Sequence, residues 1–362
     1  MPESRIKLLY IIPSLDDGGA QRFTIHFLTH LDRSKFEICL LLLNREGELT
    51  HLIPSDIEVV KYDIRRTVLS VFTILREVWR RRPQIAFTTL GHLNLVVSLI
   101  KFLFPKGTKV VARETNFISL RNKDERYPKL FNMLFRTTYK HLNLVICQSK
   151  SMQQDLRGSF GLAERKLQVI YNPVDFEFIK EQIKHVNRNR TKITFLSVGR
   201  LSQQKGYDRI LRALSLIKGF EFEYLILGQG PKKQEIERLI ENYGLQNVKL
   251  FGYSTNPYAY MAAVDCLLLG SRYEGLPNVV LESFACGTPV IAFDAPGGMN
   301  EIIKPGVNGW TVPDDDIDAF AKSIQSKAYL EVDRTQIREL AIKEFAASKI
   351  MKRYEEILEN LD

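Results

Sequence analysis

The sequence predicts an α/β protein built from two doubly wound domains in tandem. Three observations carry this. The chain has 362 residues, about twice an ordinary domain. Short apolar runs alternate with segments of helical period, which is the signature of a parallel sheet covered on both faces. The alternation occurs in two series, separated by a polar stretch at residues 180–192.

In the first series, residues 6–12, 36–43, 84–87, 108–112 and 144–147 read as buried strands. Residues 21–31, 67–82, 93–104 and 129–141 read as helices between them. In the second, strands are expected at 193–198, 223–227, 248–251, 266–269, 289–293 and 310–312. Helices are expected at 208–218, 232–243, 257–264 and 278–286, and the last 45 or so residues read as helical. The expected division is 1–175, 176–344 and a final segment 345–362. In open α/β sheets ligands bind beyond the C-terminal strand ends, so a cleft between two such domains is the expected site.

Composition excludes several classes. Apolar residues make up 45% of the chain and charged residues 26%, which is globular rather than disordered. The cysteines, Cys39, Cys147, Cys266 and Cys286, are widely spaced in apolar runs. They read as reduced core thiols of a cytoplasmic protein, not as zinc ligands or a disulfide framework. No run approaches the roughly 20 apolar residues of a membrane span.

Charge is uneven. The net charge is +9, yet residues 61–140 alone carry 17 Lys and Arg against 5 Asp and Glu. Such a patch suits a polyanion or an anionic membrane surface. Within it, Val68, Val71, Phe72, Leu75, Val78 and Trp79 follow helical spacing, with Arg76, Arg80, Arg81 and Arg82 nearby. The stripe reads either as a core-facing face or as one that meets lipid. Nucleic acid is not expected as a partner, because no recognised module or interleaved exposed aromatics accompany the charge.

Candidate chemistry sits in the loops after strands. PSLDDGGAQR (13–22) follows the first strand and opens a helix, and Gly18 and Gly19 allow close backbone approach to a phosphate. It lacks the GxGxxG of a dinucleotide site, which argues against a nicotinamide oxidoreductase; by itself it also reads as a simple turn. SVGRLSQQKG (197–206) sets Arg200 and Lys205 on one loop, a fork and a point charge suited to a diphosphate. SRYEGLPNVVLES (271–283) places Glu274 on a loop and Glu282 a turn into the following helix. Gly275, Leu276, Pro277, Asn278 and Val279 form the turn and helix start, whose amides suit phosphate. Glu282 suits ribose hydroxyls and Glu274 sugar hydroxyls. Gly228 lies in GQGP after another strand, and APGGMNE (295–301) is a further glycine-rich loop. In the first domain His92 follows a strand, and Arg113 and Asn116 lie at the next strand end, where an acceptor could be met.

GGAQR, VGRLxxxKG, LGxGP and EGLPNVxLE, in this order, resemble the family 4 glycosyltransferases, and the resemblance covers nearly the whole chain. It implies the GT-B arrangement, two Rossmann-like domains facing across a cleft with a last helix returning to the first domain. It also implies an N-terminal acceptor domain and a C-terminal nucleotide-sugar domain. Arg200 and Lys205 would neutralise the departing diphosphate, Glu282 would hold ribose, Glu274 would contact the transferred sugar, and His92 would lie near sugar and acceptor. The reaction would retain anomeric configuration without a metal or other cofactor, and Asp314-Asp315-Asp316 reads as a helix start. The bacterial enzymes that extend lipid-linked oligosaccharides for O-antigen, capsule or protein glycans are most similar. They imply a UDP-sugar donor, a polyprenyl-diphosphate-linked acceptor and peripheral attachment to the inner face of the cytoplasmic membrane. A catalytically silent scaffold of the same fold is the alternative, opposed by the intact Arg200, Lys205, Glu274 and Glu282.

Overall fold

The computed structural model describes residues 5–16, 18–44, 47–64, 67–186 and 192–361. Asp17 of the first glycine loop, and residues 187–191 of the polar stretch, lie outside them. Two compact units emerge: 1–173 with 347–362, and 174–346.

Unit 1 holds a seven-stranded parallel sheet: β1 (Ile6–Ile12), β2 (Phe36–Leu42), β3 (Glu58–Lys61), β4 (Ile85–Thr89), β5 (Lys109–Arg113), β6 (Leu144–Cys147) and β7 (Leu167–Val169). The order is β3-β2-β1-β4-β5-β6-β7. Helices α1 (Gly19–His30), α2 (Val71–Arg81), α3 (Gly91–Ile100), α4 (Ile118–Arg121), α5 (Pro128–Thr138) and α6 (Lys150–Phe160) connect the strands. Alternation along each strand sends Leu9, Ile11 and Ala86 to one face, against α2, α3, α5 and α6. It sends Leu8, Tyr10 and Phe87 to the other, against α1.

Strands β3 and β7 and helix α6 are not among the sequence expectations. β3 and β7 are edge strands of four and three residues, half-covered and therefore weakly apolar. Helix α3 ends at Ile100 rather than 104, because residues 101–103 tighten into a 3₁₀ turn. The stripe on α2 divides. Ile74 and Val78 are buried in the core, whereas Phe72 is 83% and Trp79 51% exposed.

Unit 2 repeats the plan with β8 (Ile193–Val198), β9 (Phe222–Leu227), β10 (Val248–Gly252), β11 (Cys266–Leu269), β12 (Val290–Asp294) and β13 (Gly309–Pro313). The order is β10-β9-β8-β11-β12-β13, all parallel. The helices are α7 (Phe176–Ile183), α8 (Tyr207–Ser215), α9 (Lys233–Asn242), α10 (Pro257–Ala263), α11 (Asn278–Ala285), α12 (Met299–Ile302), α13 (Ile317–Gln325) and α14 (Arg334–Phe345). The polar stretch expected as a linker begins inside α7. That helix is amphipathic: Asp175 caps it by accepting from Phe178 N at 2.9 Å, Ile179 is buried, and Phe178 meets the Tyr258 ring edge-on. The chain changes unit before it, at Pro173, where Val174 N donates to Phe345 O at 2.8 Å.

The last helix, α15 (Ala347–Glu359), belongs to unit 1. It closes the face left by α1: Ile350, Met351, Tyr354 and Leu358 join the core there. Tyr354 is fully buried, 5.3 Å from the Phe23 ring and 5.7 Å from Phe27. Asp32 N donates to Glu355 at 2.8 Å, and Lys35 pairs with Glu359 at 2.6 Å. Tyr354→Ala should therefore destabilise unit 1 by ~3 kcal/mol through the cavity it leaves. Urea unfolding followed by near-ultraviolet dichroism checks this, and the unit 2 transition should not move.

Candidate active site

Each sheet reverses its winding once, in unit 2 between β8 and β11 and in unit 1 between β1 and β4. At such a point two loops leave neighbouring strand ends in opposite directions and open a crevice.

In unit 2 the loops concerned are 199–206 and 270–277. Glycines let them touch. Gly206 has φ +60°, and a Cβ there would lie 1.9 Å from Gly270 O. With the backbones this close, Lys205 Nζ reaches Glu274 Oε1 at 2.5 Å, and Ser271 Oγ donates to the same oxygen at 2.7 Å. Glu274 is buried at 7% exposure. Further bonds hold the two loops in register: Arg272 N donates to Gln204 O at 2.7 Å, and the Arg272 guanidinium forks onto Asp208 at 2.9 and 2.7 Å. Arg209, buried under the crevice, donates to Gly270 O and Ser271 O and pairs with Asp314 at 2.6 Å. Its guanidinium also lies 4.3 Å above the Phe293 ring.

Arg200 stands exposed at the mouth of the same loop and makes no side-chain hydrogen bond or ion pair with the described residues. Gly228 follows β9; a Cβ there would lie 1.9 Å from Gly199 O, so the two loops cross backbone to backbone. The 295–298 loop closes on Glu274 from the other side: Glu274 N donates to Pro296 O at 3.0 Å, and Gly298 N to Gly275 O at 3.1 Å. Helix α11 begins directly beyond. Pro277 is its N-cap, with no side-chain cap and no acidic residue in the first turn. The positive end of its dipole is therefore not answered by a carboxylate of that turn. Leu276 and Val279 are buried and Asn278 is half-buried, which leaves backbone as what this turn presents. Glu282 is half-buried on the next turn. Asp316 caps α13 through Ala319 N at 2.9 Å, so the aspartate run is a helix start.

In unit 1, Gly18 is the N-cap of α1 and Gly19 its first residue, at the end of β1. On the other side of the reversal Leu90, a non-glycine residue at φ +80°, turns the chain from β4 into α3 and puts His92 in its first turn. A side chain held at such an angle stores strain of about 1–3 kcal/mol. His92 is exposed and its ring meets Phe131 edge-on. Arg121 Nη2 donates to His92 Nε2, and Glu125 Oε1 lies 3.4 Å from the same nitrogen. A guanidinium has no acceptor, so the ring nitrogen facing it carries a lone pair and the ring is neutral there. Surrounding protein and the Arg121 charge both push the imidazole pKa below its ordinary value, against Glu125.

Asn116 is half-buried in a bend after β5. Arg113, expected to face an acceptor, is instead 1% exposed. Its guanidinium lies 3.7 Å from the centre of the Phe23 ring and donates to Asn172 Oδ1 at 2.6 Å. Strand alternation turns it to the α1 face, so an acceptor does not meet it at the surface. Its neighbour Glu114 takes the opposite face. That carboxylate is buried, accepts from Asn94 Nδ2 at 2.7 Å and from Tyr139, and burial raises its pKa. Thr88 donates to Asn94 at 2.7 Å, completing a buried polar network one turn from His92. Sequence reasoning missed Arg209 and this network. The signal for the second was Asn94, a lone amide inside the apolar run LNLVVSLI.

Comparison with known proteins places the chain in a family. The model described as Glycosyltransferase Family 4 matches residues 17–178, and that described as Glycosyl transferases group 1 matches residues 178–344. A Campylobacter jejuni protein, N-acetylgalactosamine-N,N'-diacetylbacillosaminyl-diphospho-undecaprenol 4-alpha-N-acetylgalactosaminyltransferase, is 28% identical over 91% of both chains. The amylovoran biosynthesis glycosyltransferase of Erwinia amylovora is 23% identical over 97% of this chain and 99% of its own. Among solved structures, Anabaena HepE in complex with UDP and glucose superposes with a TM-score of 0.80 at 20% identity, covering 99% of this chain and 100% of that one. The chain belongs to the glycosyltransferases of the GT-B fold and is related to those of bacterial surface-polysaccharide assembly.

Two tests address the geometry directly. Gly206→Ala drives a methyl into Gly270 O and should destabilise unit 2 by about 3 kcal/mol or more, read by denaturant unfolding. For His92 the sign follows from its lowered pKa: the neutral ring's contribution is complete above about 6.5 and is lost as pH falls through the lowered value. Arg121→Gln should move the His92 titration upward in an NMR pH series, and an unchanged midpoint would contradict the Arg121 contribution.

Proposed function

We propose that the protein transfers a hexose or N-acetylhexosamine from a UDP-sugar to a polyprenyl-diphosphate-linked glycan, with retention of anomeric configuration. It would act at the inner face of the cytoplasmic membrane. The observation that carries the donor half is the Lys205–Glu274 pair, set at the winding reversal of unit 2 beside exposed Arg200 and the start of α11.

As the glycosidic bond to the nucleotide breaks, negative charge grows on the departing diphosphate and positive charge on the sugar ring. Arg200 presents a fork and Lys205 a point charge to the first, with first-turn amides of α11 adding oriented dipoles. One Lys205 proton is engaged by Glu274, and the ammonium has two others to offer a phosphate oxygen. Glu274 is held in place by Ser271 and Lys205, which suits a carboxylate that orients a sugar hydroxyl. Glu282 takes the ribose, and Gly228, Gly275, Leu276, Pro277, Asn278 and Val279 let the donor approach backbone. In unit 1, Gly18, Gly19 and His92 serve the transferred sugar and acceptor, with Asn116 at the next strand end. A neutral His92 whose Nε2 accepts from Arg121 carries its proton on Nδ1, from which it can donate a hydrogen bond to a sugar or acceptor hydroxyl oxygen. The names of relatives support the substrates: HepE has been solved with UDP, with UDP and glucose, and with UDP-glucose, and the Campylobacter jejuni enzyme is named for an undecaprenol-linked substrate.

Arg200→Ala should lower turnover of the UDP-sugar about 10²–10³-fold while leaving stability within ~0.5 kcal/mol, because the side chain is exposed. Lys205→Ala should lose as much turnover and in addition ~1–3 kcal/mol of stability, since Glu274 keeps its burial without its cation. A radiolabelled transfer assay with parallel thermal unfolding reads both; wild-type turnover in folded variants would remove the assigned roles. NMR of the product's anomeric proton reads retention.

A further inference from the structure

In unit 1 all but one (Leu52) of the large apolar side chains exposed among the described residues belong to a single layer, that of α2, α3 and α5 with their flanking turns. The opposite layer, α1 with α15, exposes none of them. Leu69, Phe72, Arg76 and Trp79 recur at helical spacing on the outward side of α2 and its entry turn. Trp79 Nε1 donates to Leu103 O at 2.9 Å, which ties the turn carrying Phe102, 81% exposed, to this helix. Leu130 and Met133 are exposed on α5 in the same layer.

Among the described side chains the charge on this layer is predominantly positive, with Asp63 exposed ahead of α2. Arg76, Lys106, Lys129, Arg136 and Lys140 are exposed. Glu77 is buried beneath Arg80 and Arg81, and Glu125 is held by Arg121. Rings standing out of a cationic face, rather than a groove between helices, match a surface that is anionic outside and apolar just below. A second copy of the same face would bring cation against cation, so self-association is the poorer fit.

The geometry points to this face as the docking surface for an anionic phospholipid bilayer, with Phe72, Trp79 and Phe102 entering the head-group region and the surrounding Lys and Arg meeting the phosphates. This surface role rests on the membrane-borne acceptor proposed above and names the part of the chain that reaches it. The sequence left the α2 stripe either core-facing or meeting lipid. Here the stripe is shared, its inner half filling the core and its outer rings free for lipid.

Flotation with vesicles of phosphatidylcholine alone, and of phosphatidylcholine with phosphatidylglycerol in equal parts, tests it. The wild type should bind the mixed vesicles about tenfold or more tightly than the neutral ones. The double variant Phe72→Ser, Phe102→Ser should lose about tenfold in affinity for the mixed vesicles. It should unfold at the wild-type temperature and turn over UDP-sugar on a short soluble acceptor at the wild-type rate. Equal binding of wild type and variant, equal binding to both vesicles, or a wild-type dimer that the variant splits would each overturn the proposal. If no UDP-sugar is turned over while vesicle binding still depends on the two rings, the proposed function falls and the surface stands. The reverse pattern sinks the surface alone.

Discussion

The approach of Gly206 to Gly270 is the contact on which the rest of the unit 2 site depends. Two strands that wind away from each other leave their C-terminal loops side by side, and only backbones without a Cβ come within hydrogen-bonding range there. Once they do, a lysine at the end of one loop and a glutamate four residues along the other are close enough to pair. The price is a carbonyl-rich, partly desolvated crossing, and Arg209 offsets it by donating from below to Gly270 O and Ser271 O. A buried arginine beneath the crevice is in this sense as necessary as the side chains that face it. Its charge is answered by Asp314 and its flat face by Phe293, so it adds no unpaired cation to the core.

Much of this was legible in the sequence, for physical reasons. The doubly wound α/β class follows from unbroken apolar strands such as LLYII and CLLL set between helical periods, because both faces of those strands are covered. The loop glycines, Arg200, Lys205, Glu274 and Glu282 could be singled out because such residues at strand ends have few purely structural uses. What stayed hidden depends on partners distant in sequence. The spacing suggests separate tasks for Lys205 and Glu274, and their 2.5 Å pairing appears only when β8 lies beside β11. Arg113 looked like a surface cation because its neighbours Glu114, Thr115 and Asn116 are polar. The pleat decides otherwise, sending Arg113 to one core and Glu114 to the other. Phe72 and Trp79 fitted an inward stripe by period, yet a helix lying on a sheet buries only about a third of its circumference.

Unit 1 covers the two faces of its sheet unequally. Its sheet is covered on the α1 side by the last helix of the chain, whose Tyr354 completes an aromatic cluster with Phe23, Phe27 and Phe87. Helices α1 and α15 on that side expose no large apolar residue, while the α2–α5 side leaves rings uncovered among cations. Between the layers, Thr88, Asn94, Glu114 and Tyr139 form a buried polar chain beneath the strained turn that presents His92. A network so fully bonded fixes the strand end that carries the imidazole, which the role proposed for His92 requires.

The central claim is that a nucleotide diphosphate lodges on unit 2 where β8 and β11 part company. Titration of UDP into the isotope-labelled protein, followed amide by amide in transverse-relaxation-optimised NMR spectra, tests it most directly. Saturable shifts should concentrate on residues 199–206, on 274–280 and at Gly228. Shifts confined to unit 1, or spectra that do not respond to UDP at all, would contradict it.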